Sequence, residues 1–143
     1  MSYSVANASG RLVEGRPGIL RDAADAKRYT DEFRRLIPLA NPRAIVLADY
    51  RGVAIFPPDV ADVLARLMAD MNPFIERSAI LVDPAHATAV LQVGRVVSAA
   101  HNEQRRRFSD RVELERWLGE IATPGELARA RAFLDEGESG ERK

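Results

Sequence analysis

Two unbroken apolar runs of strand length, AIVLADY at residues 44–50 and RSAILVD at residues 77–83, are each followed by a stretch with helical periodicity. An alternating strand can leave one face in water, whereas a continuous apolar run is covered on both faces and belongs in the middle of a largely parallel sheet. After the first run, Val60, Val63, Leu64, Leu67, Met68 and Met71 recur along one helical face, beginning just beyond Pro57-Pro58. After the second, Pro84 stands at a helix-start position, and Ala89, Val90, Val93, Val97 and Ala100 share a face. Parallel neighbours need crossovers, which helices supply, so this alternation predicts an α/β fold.

The flanks extend the pattern. YSVANA and RLVEGR read as two short strands joined by Ser9-Gly10, a pair suited to a tight turn. A helix follows from about residue 22 to 37, with Asp22 as N-cap, Ala26, Tyr29, Phe33 and Ile37 on its apolar side, and Pro38 and Pro42 stopping it. RRRFSD, residues 105–110, reads as an edge strand. Asp110 and Glu113 then have capping-box spacing ahead of Val112, Leu114, Trp117, Leu118 and Ile121. The predicted order is β-β-α-β-α-β-α-β-α, a mixed and mainly parallel central sheet with covering helices, over residues 1–123. Pro124-Gly125 breaks the chain before an appended helix at 126–136 with Leu127, Ala130 and Leu134 on one side, and the polar residues 137–143 are expected to be a disordered tail.

The 143 residues, 46% hydrophobic, suffice for one core. Net charge is zero, which disfavours nucleic acid and anionic membranes as partners. No cysteine is present, so disulfides, thiolate metal sites and a cysteine nucleophile are excluded. Neither a signal-peptide core nor a membrane-spanning run occurs, and a cytoplasmic location is expected.

Motifs of catalysis are also lacking. No GxGxxG or GxxxxGK[ST] cradle occurs, His86 and His101 have no companion ligands at helical spacing, and Ser78 and Ser98 lack the Gly-x-Ser-x-Gly elbow. Asp49 ends a strand, but no acidic pair follows the first strand to make it a receiver-type phosphoacceptor; a turn role is expected. Asp59 and Asp62 fit the positive end of a helix better than acid–base work. No enzyme activity, metal or cofactor is expected.

The segment ADYRGVAIFPPDV, residues 48–60, carries a resemblance. With the two leading strands and the later strand–helix units, it resembles the STAS domain superfamily, specifically its SpoIIAA-like branch related to anti-sigma factor antagonists. In that family a strand of the form LDLSGVTFIDSSGL leads into a helix, and the junction serine is phosphorylated by a partner kinase. Asp49, Gly52, Val53 and Phe56 match the frame, whereas Phe56-Pro57-Pro58-Asp59 replaces Asp-Ser-Ser. RRRFSDRVELERWL likewise resembles the arginine–phenylalanine strand and closing helix of the branch. The resemblance implies a protein-interaction module without the phosphoswitch, whose partner is an anti-sigma factor or another signalling protein. Read from the residues alone, the two prolines are a stiff helix start.

The expected docking surface is therefore the rigid loop and helix start carrying Arg51, Phe56, Pro57, Pro58, Asp59 and Asp62. Arg105, Arg106 and Arg107 form a secondary basic patch, open to three readings: a solvated guard on an edge strand, a site for an acidic protein partner, or a phosphate contact. Two further functions compete. One is a homo-oligomeric scaffold, a homodimer for instance, in which helix 126–136 makes the contact. The other is a small anionic-ligand domain using Arg51 at the strand carboxyl ends.

Overall fold

A computed structural model describes residues 3–141, with side chains described through residue 138. The elements run β1 (Ser4–Ser9), β2 (Leu12–Arg16), α1 (Ala23–Leu36), β3 (Ala44–Asp49), α2 (Pro58–Met71), β4 (Ile75–Leu81), α3 (Ala87–Ala99), β5 (Arg105–Phe108), α4 (Arg111–Gly119) and α5 (Pro124–Glu141). Short 3-10 turns at Ile37–Leu39 and Asn72–Phe74 close α1 and α2, each with proline in its first positions. The strands form one sheet in the order β1-β2-β3-β4-β5. β1 and β2 are antiparallel and every other pair is parallel. The chain therefore advances one strand at a time across the sheet.

Every residue of β3 is buried, as its unbroken apolar run requires. Side chains alternate across the pleat, so Val46 and Ala48 enter one core while Ile45 and Leu47 enter the other. The first core is sealed by α1, α2 and α3 through residues such as Tyr29, Phe33, Val60, Leu64 and Val93. The second is sealed by α4 and α5, through Leu114, Trp117 and Leu118 and through Ala130, Phe133 and Leu134. At about 1.5–3 kcal/mol for each large apolar side chain fully buried, both cores are substantial.

Local chemistry sets the helix boundaries. Asp22 caps α1 by accepting from the Asp25 amide at 3.0 Å, and Asp110 caps α4 by accepting from the Val112 amide at 2.8 Å. Pro84 lies in a turn, and α3 begins only at Ala87. In that turn the Asp83 side chain and carbonyl take the amides of Ala85 and His86 at 2.9 Å each.

The largest departure from expectation is at the C-terminus. Pro124 is the first residue of α5, not a break, and the helix continues through 137–141; of the disordered tail expected over 137–143, residues 142 and 143 lie outside the described residues. Thr123 and Glu126 make a reciprocal capping box, Glu126 Oε1 accepting from the Thr123 amide at 2.9 Å and Thr123 Oγ1 from the Glu126 amide at 3.1 Å. Glu126 Oε2 also takes the Arg11 amide at 2.8 Å, tying the helix start to the β1–β2 turn. Burial works against the charged form, but the Thr123 and Arg11 amides and the Arg11 charge hold this carboxyl below its ordinary range. α5 is an integral layer of the second core, docked on its own chain.

Candidate functional site

β3 ends at Asp49, whose carboxylate is buried and fully used. Oδ1 accepts from the Arg51 amide at 3.1 Å and from Arg51 Nε at 2.9 Å, while Oδ2 accepts from Arg51 Nη2 at 2.9 Å and Arg16 Nε at 3.2 Å. Asp49 thus has the expected turn role, and it also has a second one. Both arginines reach on to α5: Arg51 Nη2 donates to the Leu134 carbonyl at 2.7 Å, and Arg16 donates to the Phe133 carbonyl while its guanidinium lies 3.8 Å from the centre of the Phe133 ring. Arg51 Nη1 adds a bond to Glu138 at 3.2 Å. Arg51 was expected to face a partner or an anion. Its side chain is instead 10% exposed and serves as a clamp between β3 and α5.

The loop from Arg51 to Pro57 is fixed by its own bonds. The Val53 amide donates to the Tyr50 carbonyl at 2.9 Å. Phe56 is gripped by Gln92 of α3, which accepts the Phe56 amide at 3.0 Å and donates to its carbonyl at 2.5 Å. The Phe56 ring is 1% exposed, sunk in the first core, so it anchors the loop and offers no contact surface. An apolar residue ahead of a helix reads equally as anchor or as docking residue in sequence, and here burial assigns it to the core. Pro57 is the N-cap of α2 with φ −72° and ψ 162°, and Pro58 is the first helical residue, where no amide donor is needed.

Asp59 Oδ1 accepts from the Val60 amide and Oδ2 from the Ala23 amide, both at 3.0 Å, so this residue joins the starts of α2 and α1. Asp62 is exposed. The residue missed in the sequence is Ile55, which is 66% exposed at the tip of the loop. Exposed apolar residues at loop tips have no periodic signature, so only the fixed side chains around it reveal Ile55.

On β5 the alternation is as expected, but the three arginines do different work. Arg105 is 7% exposed and inward, donating to Asn72 Oδ1 at 2.9 Å, Ser78 Oγ at 3.3 Å and the Met68 carbonyl at 2.8 Å. Burial pulls its guanidinium down to about 10. It is a strut between α2 and the sheet, not part of a surface patch. Arg106 and Arg107 are exposed. Compared with protein-family models, curated proteins and solved structures, the chain matches none. Among the described residues no group of three or more His, Cys, Asp or Glu is placed to hold a metal ion, and no helix is long and apolar enough to cross a membrane.

Proposed function

We propose that the chain is a non-enzymatic protein-interaction module of the SpoIIAA-like kind, one that recognises a partner without a phosphoswitch. The observation that carries this reading is the preorganised loop: Phe56 buried, its backbone held by Gln92, and Ile55 left standing in solvent, with Pro58, Asp59 and Asp62 of the following helix start also exposed. A rigid loop loses little conformational entropy on binding, which favours recognition by the surface as it stands. No serine or threonine occurs from residue 31 to residue 77, so the loop has no aliphatic hydroxyl for a kinase. Element order and the mainly parallel sheet are compatible with the STAS resemblance. The partner surface that fits Ile55 is an apolar pocket.

The competing readings find less to work with. The apolar side of α5 lies on its own chain, and Arg51 has its donors committed to Asp49, Leu134 and Glu138. Quantitative affinity capture from the source cells, comparing the wild type with Ile55→Asp, tests the proposal. The substitution leaves the melting temperature unchanged and lowers recovery of specific partners at least tenfold; equal recovery removes the loop from recognition. A stoichiometric phosphate on any peptide spanning 44–66 contradicts the absence of a switch.

A further inference from the structure

We infer that the free edge of β5 is a second docking site, independent of the loop after β3, and that it accepts an extended acidic segment of a partner protein by strand addition. β5 is the last strand of the sheet, and among the described residues it pairs only with β4. An unpaired edge is a template for another strand, and it is either guarded or used. An open groove of about 780 Å³ runs along this edge, bordered by Leu91, Gly94, Arg95 and His101 on the α3 side and by Arg106 and Arg107 of the strand itself.

The groove gathers arginines that lack an acidic partner. Arg11, Arg16, Arg51, Arg77, Arg111 and Arg129 each hold a carboxylate. Among the described residues, Arg95, Arg106 and Arg107 hold none; the exposed Arg43, Arg66 and Arg116 also hold none, but no two of those share an element, whereas the three of the groove line one cavity. Repulsive guarding needs only mobile charges, whereas two of these are held in place. The Arg107 guanidinium crosses α3 at Gly94, where a Cβ would lie 2.4 Å from Nη1, and it donates to the Val90 carbonyl at 2.9 Å. Arg106 lies on the opposite sheet face with its guanidinium 4.9 Å from the centre of the Trp117 ring. Fixing long side chains costs rotamer entropy, and among the described residues no ion pair offsets it here.

The geometry also specifies the occupant. Side chains of an added strand alternate between the two faces of the sheet. Acidic residues at adjacent positions would meet Arg95 and Arg107 on one face and Arg106 on the other, while the exposed Leu91 offers an apolar contact at the rim. A nucleic acid would satisfy the charge but not the row of strand amides and carbonyls. With only four residues in β5, the interaction is short and salt-sensitive.

The test is a titration of ¹⁵N-labelled protein, followed amide by amide, with a capped eight-residue peptide carrying three consecutive acidic residues. Shifts confined to residues 95–108 that weaken at least tenfold in Arg95→Glu, and again when alternate peptide amides are N-methylated, support strand addition. Arg95 is exposed and makes no hydrogen bond or ion pair among the described residues, so that variant stays folded, and an Arg106→Glu/Arg107→Glu chain extends the test. The inference is overturned if millimolar peptide shifts no β5 amide, if the N-methylated peptide binds as tightly, or if a short single-stranded oligonucleotide competes at the same amides with equal affinity.

Discussion

Gly137→Ala separates a seated α5 terminus from a free one, because two effects of opposite sign meet at a single methyl group. In an unconstrained helix, alanine gains about 1 kcal/mol over glycine. Gly137, however, lies against the clamp: a Cβ there would sit 2.3 Å from Asp49 Oδ2, 2.7 Å from Arg51 Nη2 and 2.9 Å from Arg16 Nη2. Asp49 is short, 3% exposed and held by both arginines, so it cannot swing aside as a surface lysine would. Accommodating the methyl means moving that carboxylate off its donors or lifting the last turns of α5. Overpacking of this kind costs about 1–3 kcal/mol, and loosening a buried ion pair adds to it. The clash outweighs the propensity gain, leaving a net loss of about 1–2 kcal/mol, read as a fall of about 3–6 °C in Tm and an earlier urea midpoint. Gly52→Ala, where no atom lies within 4 Å, is the neutral control. In an Asp49→Ala background the nearest obstruction is gone and only the ends of two arginine side chains remain close, so the cost of Gly137→Ala falls, a coupling that a double-mutant cycle measures directly. A Gly137→Ala protein that is more stable than the wild type, by about the helix-propensity increment, refutes the seating of α5 on Asp49.

Three further outcomes follow from buried groups. Phe56→Ala empties a fully enclosed ring site and costs about 3–5 kcal/mol in urea unfolding, whereas Ile55→Asp stays within about 0.5 kcal/mol; equal effects would mean that Phe56 is not the anchor. Arg105→Met leaves the Met68 carbonyl without its donor and loses about 1–3 kcal/mol, while Arg107→Met, on an exposed residue, changes stability by less than about 0.5 kcal/mol. Glu126 has a folded-state pKa below its ordinary value of 4.5, so its contribution is complete above that pH and is lost as pH falls below it. Glu126→Gln therefore flattens the stability profile there, while Asp25, held low to about 2 first by its side-chain bond from Arg21, keeps its own contribution to the acid slope below the ordinary 3.8. A Glu126→Gln protein with an unchanged acid profile would show that the cap does not titrate with folding.

Elements that announce themselves by period were legible. The unbroken AIVLAD run, the stripe from Val60 to Met71 and the Asp22 cap each encode a local structure that tertiary contacts reinforce. Less legible were places where one residue type has two physical uses. Pro124-Gly125 looks like a breaker, but TPGE is also a capping box with proline at the first helical position, and the bonds between Thr123 and Glu126 show that the second use holds. The polar residues 137 and 138 carry no apolar signal; they are ordered by Asp49, Arg51 and Arg111, far away in sequence. The candidate site suffered the same ambiguity. Arg51, Phe56 and Arg105 are the residue types a docking surface needs, yet each is used inside the fold. Pro58, Asp62, Arg106 and Arg107 do lie outside, and so do Ile55 and Arg95, which carry no signal in the sequence.

The two cores are closed by different means, and this decides which surfaces remain for partners. On the first face three crossover helices pack by apolar stripes, and the loop after β3 is pinned to it by Phe56 and Gln92. On the second face only α4 and α5 cover the sheet, so charged side chains complete the seal: Arg16, Arg51, Arg111 and Arg129 each join α5 to the sheet, to the loop after β3 or to α4. Cations used in this way are taken out of recognition. Those at the β5 edge are not, because among the described residues no carboxylate pairs with Arg95, Arg106 or Arg107. An arginine-rich chain of zero net charge can thus present a local excess of positive charge: carboxylates are drawn to the arginines that seal the second core, and among the described residues none pairs with the three that line the groove.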